Sequence, residues 1–175
     1  PRQLDGEGAA ILQKQLEGMG IKFILGAKSK SIKEKGHTRI LELADGRVIE
    51  SDFILVSAGI IPNTTLARTA GISVNKGVLV NDGMETNIAS IYAAGDVAEH
   101  KGRVYGIWPA SQRQGVVAGI NMAGGNETYM GTVPSTTLKV AGIRLTSMGD
   151  VLAEDKAIEQ IKVKDTDKYI YKKLF

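Results

Sequence analysis

Ile91-Tyr92-Ala93-Ala94-Gly95-Asp96 is the stretch on which the fold of this chain turns. An apolar run ends abruptly at glycine and then aspartate, as a strand does at the carboxyl edge of a parallel sheet, where ligands of α/β proteins collect. Glycine at 95 lets the backbone come close to a ligand, and an ionised Asp96 can accept hydrogen bonds from sugar-like hydroxyls, so a polyol fits the chemistry. Taken alone, the same residues read equally well as a strand closed by an ordinary turn, because Gly and Asp are common turn formers.

Outward from this run the chain carries local signals of helix and strand. Ala9, Leu12, Leu16 and Met19 recur at three- and four-residue spacing, with Asp5 placed to cap the start and Gly18 and Gly20 to end it, which predicts an amphipathic helix from Asp5 to Gly18. Strands are predicted for Ile21 to Leu25, Ser29 to Glu34, Arg39 to Leu43 and Val48 to Glu50, with hairpin turns at Lys35-Gly36 and Asp45-Gly46. The unbroken run Phe53-Ile54-Leu55-Val56 reads as a strand buried on both faces. Thr64 to Ala70 has the spacing of a short helix stopped by Gly71, and Val78-Leu79-Val80 forms another strand. Trp108-Pro109-Ala110 opens a longer helix, proline being favoured in a first turn, with Val116, Val117, Ile120 and Met122 on its apolar side and Gly124-Gly125 at its end. Thr136 to Val140, Ile143 to Met148, Ile158 to Val163 and Tyr169 to Tyr171 then suggest an antiparallel sheet, a different kind of domain beyond a boundary at Gly124-Gly125-Asn126-Glu127.

Composition narrows the chemistry. The 175 residues, 43% hydrophobic with 21 glycines and 4 prolines, fit an α/β protein with many tight turns. No apolar stretch approaches the ~20 residues that cross a bilayer, and no basic, apolar leader precedes the body of the chain, so the expectation is a cytoplasmic protein without membrane contact. With no cysteine and two histidines, neither a disulfide nor a metal centre is expected. His37 and His100 read as solvated loop residues. The charge of +3 comes from 22 basic and 19 acidic residues spread along the chain, which lacks the concentrated basic face of a nucleic-acid binder. Gly6-Glu7-Gly8-Ala9-Ala10-Ile11 imitates a dinucleotide loop, but Ile11 replaces the third glycine and no strand precedes it, so it reads as a helix start.

Further stretches give the opening run its weight. Thr86 followed by Ile91 to Asp96 resembles the second FAD-binding motif of the glutathione-reductase-like flavoproteins. Phe53 to Ala58 followed by Gly59-Ile60-Ile61-Pro62-Asn63 resembles their other internal motif, which ends in Gly-x-x-Pro-Asn, and the two stand in the family's order. Trp108-Pro109-Ala110-Ser111-Gln112-Arg113-Gln114-Gly115 and Asn121-Met122-Ala123-Gly124 look like the following helix in the NADH oxidase, rubredoxin reductase and nitrite reductase large-subunit branch of these FAD-dependent pyridine nucleotide-disulfide oxidoreductases. Leu138-Lys139-Val140-Ala141-Gly142 resembles the start of that branch's C-terminal domain.

The resemblance implies an α/β fold, part of a three-layer (ββα) FAD/NAD(P)-binding architecture followed by a C-terminal α+β interface-type domain. Residues 1–60 would end an NAD(P)-binding domain, 61–127 would be the returning part of an FAD-binding domain, and 128–175 would begin the C-terminal domain. The implied cofactors are FAD and NAD(P)H, and the cofactor-binding residues Gly59, Gly95, Asp96, Val97, Pro109 and Ala110. By the match, Asp96 holds a ribitol hydroxyl, the Val97 backbone lies near the pyrophosphate, and the Pro109-Ala110 helix start aims at the flavin ring. No catalytic side chain is expected. The implied reaction carries hydride from NAD(P)H to FAD and on to rubredoxin, oxygen, nitrite or a disulfide. The family's two Gly-x-Gly-x-x-Gly loops are absent here, so the chain is read as the C-terminal portion of a longer enzyme, inactive by itself. The competing class is a non-enzymatic nucleotide-binding or interaction module that kept this half of the fold. The expected partners are an acidic electron carrier such as rubredoxin, facing the lysine-rich stretch from Lys162 to Lys173, and a second copy of the chain through its C-terminal domain.

Overall fold

Asp5 accepts a hydrogen bond from the Gly8 N–H at 2.9 Å and so caps helix α1, Gly6–Gly18, which buries Gly8 and Ile11. The computed structural model describes residues 3–140, 142–149 and 159–174 of the chain. After α1 come three strands, β1 (Ser29–Lys35), β2 (Thr38–Leu43) and β3 (Val48–Ser51), paired antiparallel in that order. Their turns bend where glycine was read in the sequence: Gly36 and Gly46 take φ of +62° and +88°, which a side chain disfavours. In the second turn the Arg47 N–H donates to Asp45 Oδ1 at 3.1 Å.

Two expected strands do not form. Ile21 to Leu25 and Phe53 to Val56 belong to no strand, and Leu25, Phe53, Leu55 and Val56 are each at least 70% exposed. A strand's amides and carbonyls need a neighbouring ladder, and among the described residues none pairs with either run, so apolar character alone leaves them unpaired.

Residues 59–150 form a compact unit of their own. It holds the short helix α2 (Thr65–Thr69), strand β4 (Val78–Val80), a single 3-10 turn at Gly95–Val97, strand β5 (Ala98–His100), helix α3 (Trp108–Met122) and the hairpin β6 (Ser135–Val140) and β7 (Ile143–Met148). β4 and β5 are parallel, with Val78 opposite Ala98 and Val80 opposite His100. The apolar run before Gly95 is not a full strand. It bridges back at Glu85 and Tyr92, and the Ala93 N–H donates to the Met84 carbonyl at 3.1 Å. Met84, Val117, Ala118 and Tyr129 make the core, flanked by Val80, Tyr92, Ala94 and Tyr105. Full burial of Met84 and Val117 stabilises by about 2 kcal/mol each.

The C-terminal hairpin, β8 (Ile161–Asp165) and β9 (Ile170–Leu174), belongs with the N-terminal residues up to 58 in the other unit. Among the described residues the four C-terminal strands pair as two separate hairpins, not as the one sheet expected from their alternation. Ile158, expected to begin one of them, and Ala141 lie outside the described residues. Tyr171 on β9 donates its hydroxyl to Asp5 Oδ2 at 2.5 Å, and Lys173 reaches the same oxygen at 3.0 Å. Lys162 and Lys164 pair with Glu7 in the first turn of α1. The Tyr171 ring lies 3.1 Å from where a Cβ on Gly8 would stand, so glycine is what lets the ring lie against the helix.

Candidate functional site

Gly95 takes φ of +83°, a conformation that costs any side-chain-bearing residue roughly 1–2 kcal/mol. Crowding is not the reason for glycine there, since an added Cβ would stand 3.7 Å from Ser111, an ordinary contact. The turn is fastened to α3 at two points. The Gly95 N–H donates to Gln114 Oε1 at 2.8 Å, and the Ser111 hydroxyl donates to Asp96 Oδ1 at 3.2 Å. That hydroxyl also lies 3.2 Å from the Ile107 carbonyl. It has one proton for two acceptors, so its hold on Asp96 is shared. The Asp96 side chain is exposed.

Behind the turn the chain is held tightly. The Val97 carbonyl stands only 2.7 Å from where a Cβ on Gly77 would be, so any larger residue at 77 would displace one backbone or the other. Glu99, 1% exposed, anchors that loop by accepting from the Gly77 N–H at 2.8 Å and from Asn75 Nδ2 at 2.9 Å. Burial pushes its carboxyl up, but the Gly77 N–H, Asn75 and the Lys76 backbone outweigh it and leave the group below the usual glutamate range.

Helix α3 begins with Pro109 in its first turn, as its sequence predicts; Pro109 is exposed and Ala110 fully buried. The residue before it, Ile107, is extended, and no side chain caps the helix. The first-turn N–H groups and the positive end of the helix dipole are thus left to an acceptor from elsewhere. Gly59 is exposed at φ +88° with open space around it. It comes near this region only through its neighbour: Ile60 Cδ1 lies 2.9 Å from where a Cβ on Gly106, just ahead of α3, would stand. Gly95 and Asp96 are therefore tied to α3 directly, Val97 by following them in the same turn, and Gly59 only indirectly.

His100 is not a solvated loop residue. It lies on β5, 1% exposed, with Nε2 2.7 Å from Asp82 Oδ1 and its ring edge-on to Tyr129 at 5.0 Å between centroids. The partner carboxylate stands just past β4, the parallel neighbour of β5, a pairing that no local pattern announces. Lys101 and His100 together hold Asp82 below the usual aspartate range. His37 is exposed, as expected. Gly77 and Glu99 carry no signal in the sequence, and Ser111 and Gln114, although they lie in the stretch from Trp108 to Gly115 that resembles the family's helix, have no individual role there, because a serine and a glutamine on a helix do not show which turn they reach. Among the described residues no three acidic, histidine or cysteine side chains gather to hold a metal, and no helix is long and apolar enough to cross a membrane.

Residues 2–115 match the family model of the pyridine nucleotide-disulphide oxidoreductases. The chain belongs to that family. Residues 134–175 match a second model, the rubredoxin NAD+ reductase C-terminal domain. Over 174 residues the chain is 41% identical to a nitrite reductase [NAD(P)H] of Bacillus subtilis, covering 99% of this chain and 22% of that protein. It is 35% identical over 169 residues to the NADH-rubredoxin oxidoreductase of Clostridium acetobutylicum, covering 97% of this chain and 41% of the relative. Its fold matches that of a solved FAD-dependent pyridine nucleotide-disulphide oxidoreductase from Desulfovibrio vulgaris, with a TM-score of 0.78 at 24% identity over 94% of this chain and 44% of the other. The mixed α/β architecture is thus that of FAD- and NAD-binding oxidoreductases. The chain spans between 22% and 41% of the length of the two curated relatives.

Proposed function

We propose that this chain is the part of an FAD-dependent NAD(P)H oxidoreductase that completes the flavin site. The observation that carries the reading is an exposed carboxylate, Asp96, on a left-handed glycine turn fastened to the uncapped first half of α3. A group with many hydroxyls and a ring system that gathers negative charge fits both features, because the carboxylate accepts from hydroxyls and the helix start favours an anion. In this reading Asp96 accepts a ribitol hydroxyl of FAD, and the Val97 backbone faces the pyrophosphate. Pro109 and Ala110 present the α3 start to the flavin ring, while Gly59 lets the chain turn beside it. Bound FAD supplies the chemistry, taking hydride from NAD(P)H and passing electrons on. The residues of this chain bind, orient and tune.

The same reading makes residues 1–60 the end of an NAD(P)-binding domain, 61–127 the returning part of the FAD domain, and 128–175 the start of a C-terminal domain. The final acceptor belongs to the set rubredoxin, oxygen, nitrite or disulfide. An acidic carrier would find fewer lysines free than the sequence suggests, since Lys162 and Lys164 are paired with Glu7 and Lys173 with Asp5. In the full-length protein, Asp96→Ala weakens FAD binding by about 1–3 kcal/mol through lost charge-assisted hydrogen bonds. Flavin titration of the apoprotein measures this, and an unchanged affinity removes Asp96 from the site.

A further inference from the structure

Gln114 has a hydrogen-bonding pattern that packing does not explain. It lies in the middle of α3, 1% exposed, where an aliphatic side chain would pack without desolvating an amide. Its Oε1 accepts the Gly95 N–H at 2.8 Å, while its Nε2 is buried with no hydrogen bond of good geometry. The amide group faces the Tyr129 hydroxyl closely enough to favour that phenol's ionised form, though burial and Tyr105 push the phenol up overall. The orientation of the carboxamide is fixed by Gly95, because only the oxygen can accept that N–H. The oxygen is engaged at good geometry, and the Nε2 faces the Tyr129 hydroxyl short of a well-formed hydrogen bond.

Gly95 needs such a hold. It has no side chain to pack, its left-handed backbone is accessible to glycine in many neighbouring conformations, and its carbonyl is tied only forward, to the Ala98 N–H. The peptide that Gln114 grips joins Ala94 to Gly95, one link ahead of the Gly95–Asp96 peptide that carries the aspartate. Its rotation would swing the carboxylate and the Val97 backbone together.

We infer that Gln114 is a positioning residue of the flavin site: through the Gly95 N–H it sets the direction in which Asp96 and Val97 face their ligand. The inference rests on the flavin reading given above. Gln114→Met keeps volume and removes the buried Nε2 donor, but strands the Gly95 N–H. Gln114→Glu keeps an acceptor in the same place. In the flavin-loaded full-length protein, Gln114→Met weakens flavin binding about tenfold, the scale of one buried hydrogen bond, while Gln114→Glu stays within about threefold of the parent. A residue that only supports the core would shift the melting temperature of both variants and leave the flavin dissociation constant of the folded protein unmoved, and that result overturns the inference. Equal weakening by both variants also overturns it, because the acceptor would then not matter. Should Gln114→Met fail to fold, Gln114→Glu still decides. A buried carboxyl there makes flavin affinity depend on pH between about 5 and 8 in a way the parent's does not, and a flat profile counts against the inference. Asp96→Ala, measured alongside, separates the two levels. If it weakens flavin binding and Gln114→Met does not, only the role of Gln114 falls; if neither does, the flavin reading falls and takes this inference with it.

Discussion

Asp5 and Asp96 each stand at the head of a helical turn, and their surroundings differ in almost every respect. Asp5 accepts from the Gly8 N–H, the Tyr171 hydroxyl and Lys173, and its side chain is 19% exposed. Asp96 is exposed, and among the described residues its one side-chain partner is a serine hydroxyl that has a second acceptor available. The first carboxylate has spent its hydrogen-bonding capacity on tying a helix to a hairpin whose residues follow more than 150 positions later. The second keeps nearly all of its capacity. A carboxylate signals a binding site by its unused lone pairs, and a tightly partnered one signals structure.

The sharpest way to break the contrast is to remove Asp5. Asp5→Ala takes away the α1 cap and the carboxylate that the Tyr171 hydroxyl and Lys173 share. The expected cost is roughly 2–4 kcal/mol in urea unfolding. Asp96→Ala, by contrast, leaves unfolding within about 0.5 kcal/mol of the parent, as surface substitutions do.

Acid probes the same difference with a smaller effect. Burial pushes the Asp5 carboxyl up, but Tyr171, the Gly8 N–H and Lys173 together hold it at about 2 against an ordinary 3.8. Because the folded value is the lower one, the stabilisation is fully present above about pH 4 and is lost as pH falls toward 2; it amounts to about 2 kcal/mol. Unfolding measured across that window should show the loss in the parent, and Asp5→Asn should flatten it. A parent curve no steeper than that of Asp5→Asn would mean the carboxylate is not held as described.

The smallest expected effect is at Ser111. Since its hydroxyl proton can return to the Ile107 carbonyl, Ser111→Ala changes both stability and flavin affinity by less than about 0.5 kcal/mol. A larger loss of flavin affinity would show that the serine holds Asp96 firmly, and would narrow the contrast with Asp5.

The parts of the fold legible in the sequence are those fixed by near neighbours. Helix α1 is announced by Asp5 and an apolar repeat, and the β1-β2-β3 meander by Gly36 and Gly46, because caps and tight turns are decided within a few residues. Phe53 to Val56 misled because its composition states a need for burial without saying what supplies it. His100 misled because its burial comes from Asp82, 18 positions earlier and brought alongside by the pairing of β4 with β5. The site was half legible. Gly95 and Asp96 stand out through the strand-to-turn pattern, whereas Gln114, 19 positions on, falls within the family-like helix stretch with nothing to say that it reaches back to Gly95.

The contact between Gly77 and the Val97 carbonyl bears on portability. Ile91 to Asp96 looks like a short cassette that could be moved into another α/β scaffold. The turn keeps its shape, however, only while a bare backbone at 77 sits behind it and an amide at 114 grips it from the front. A graft of the six residues alone would carry the letters of the motif and lose its aim; the transferable unit reaches from Asn75 to Gln114.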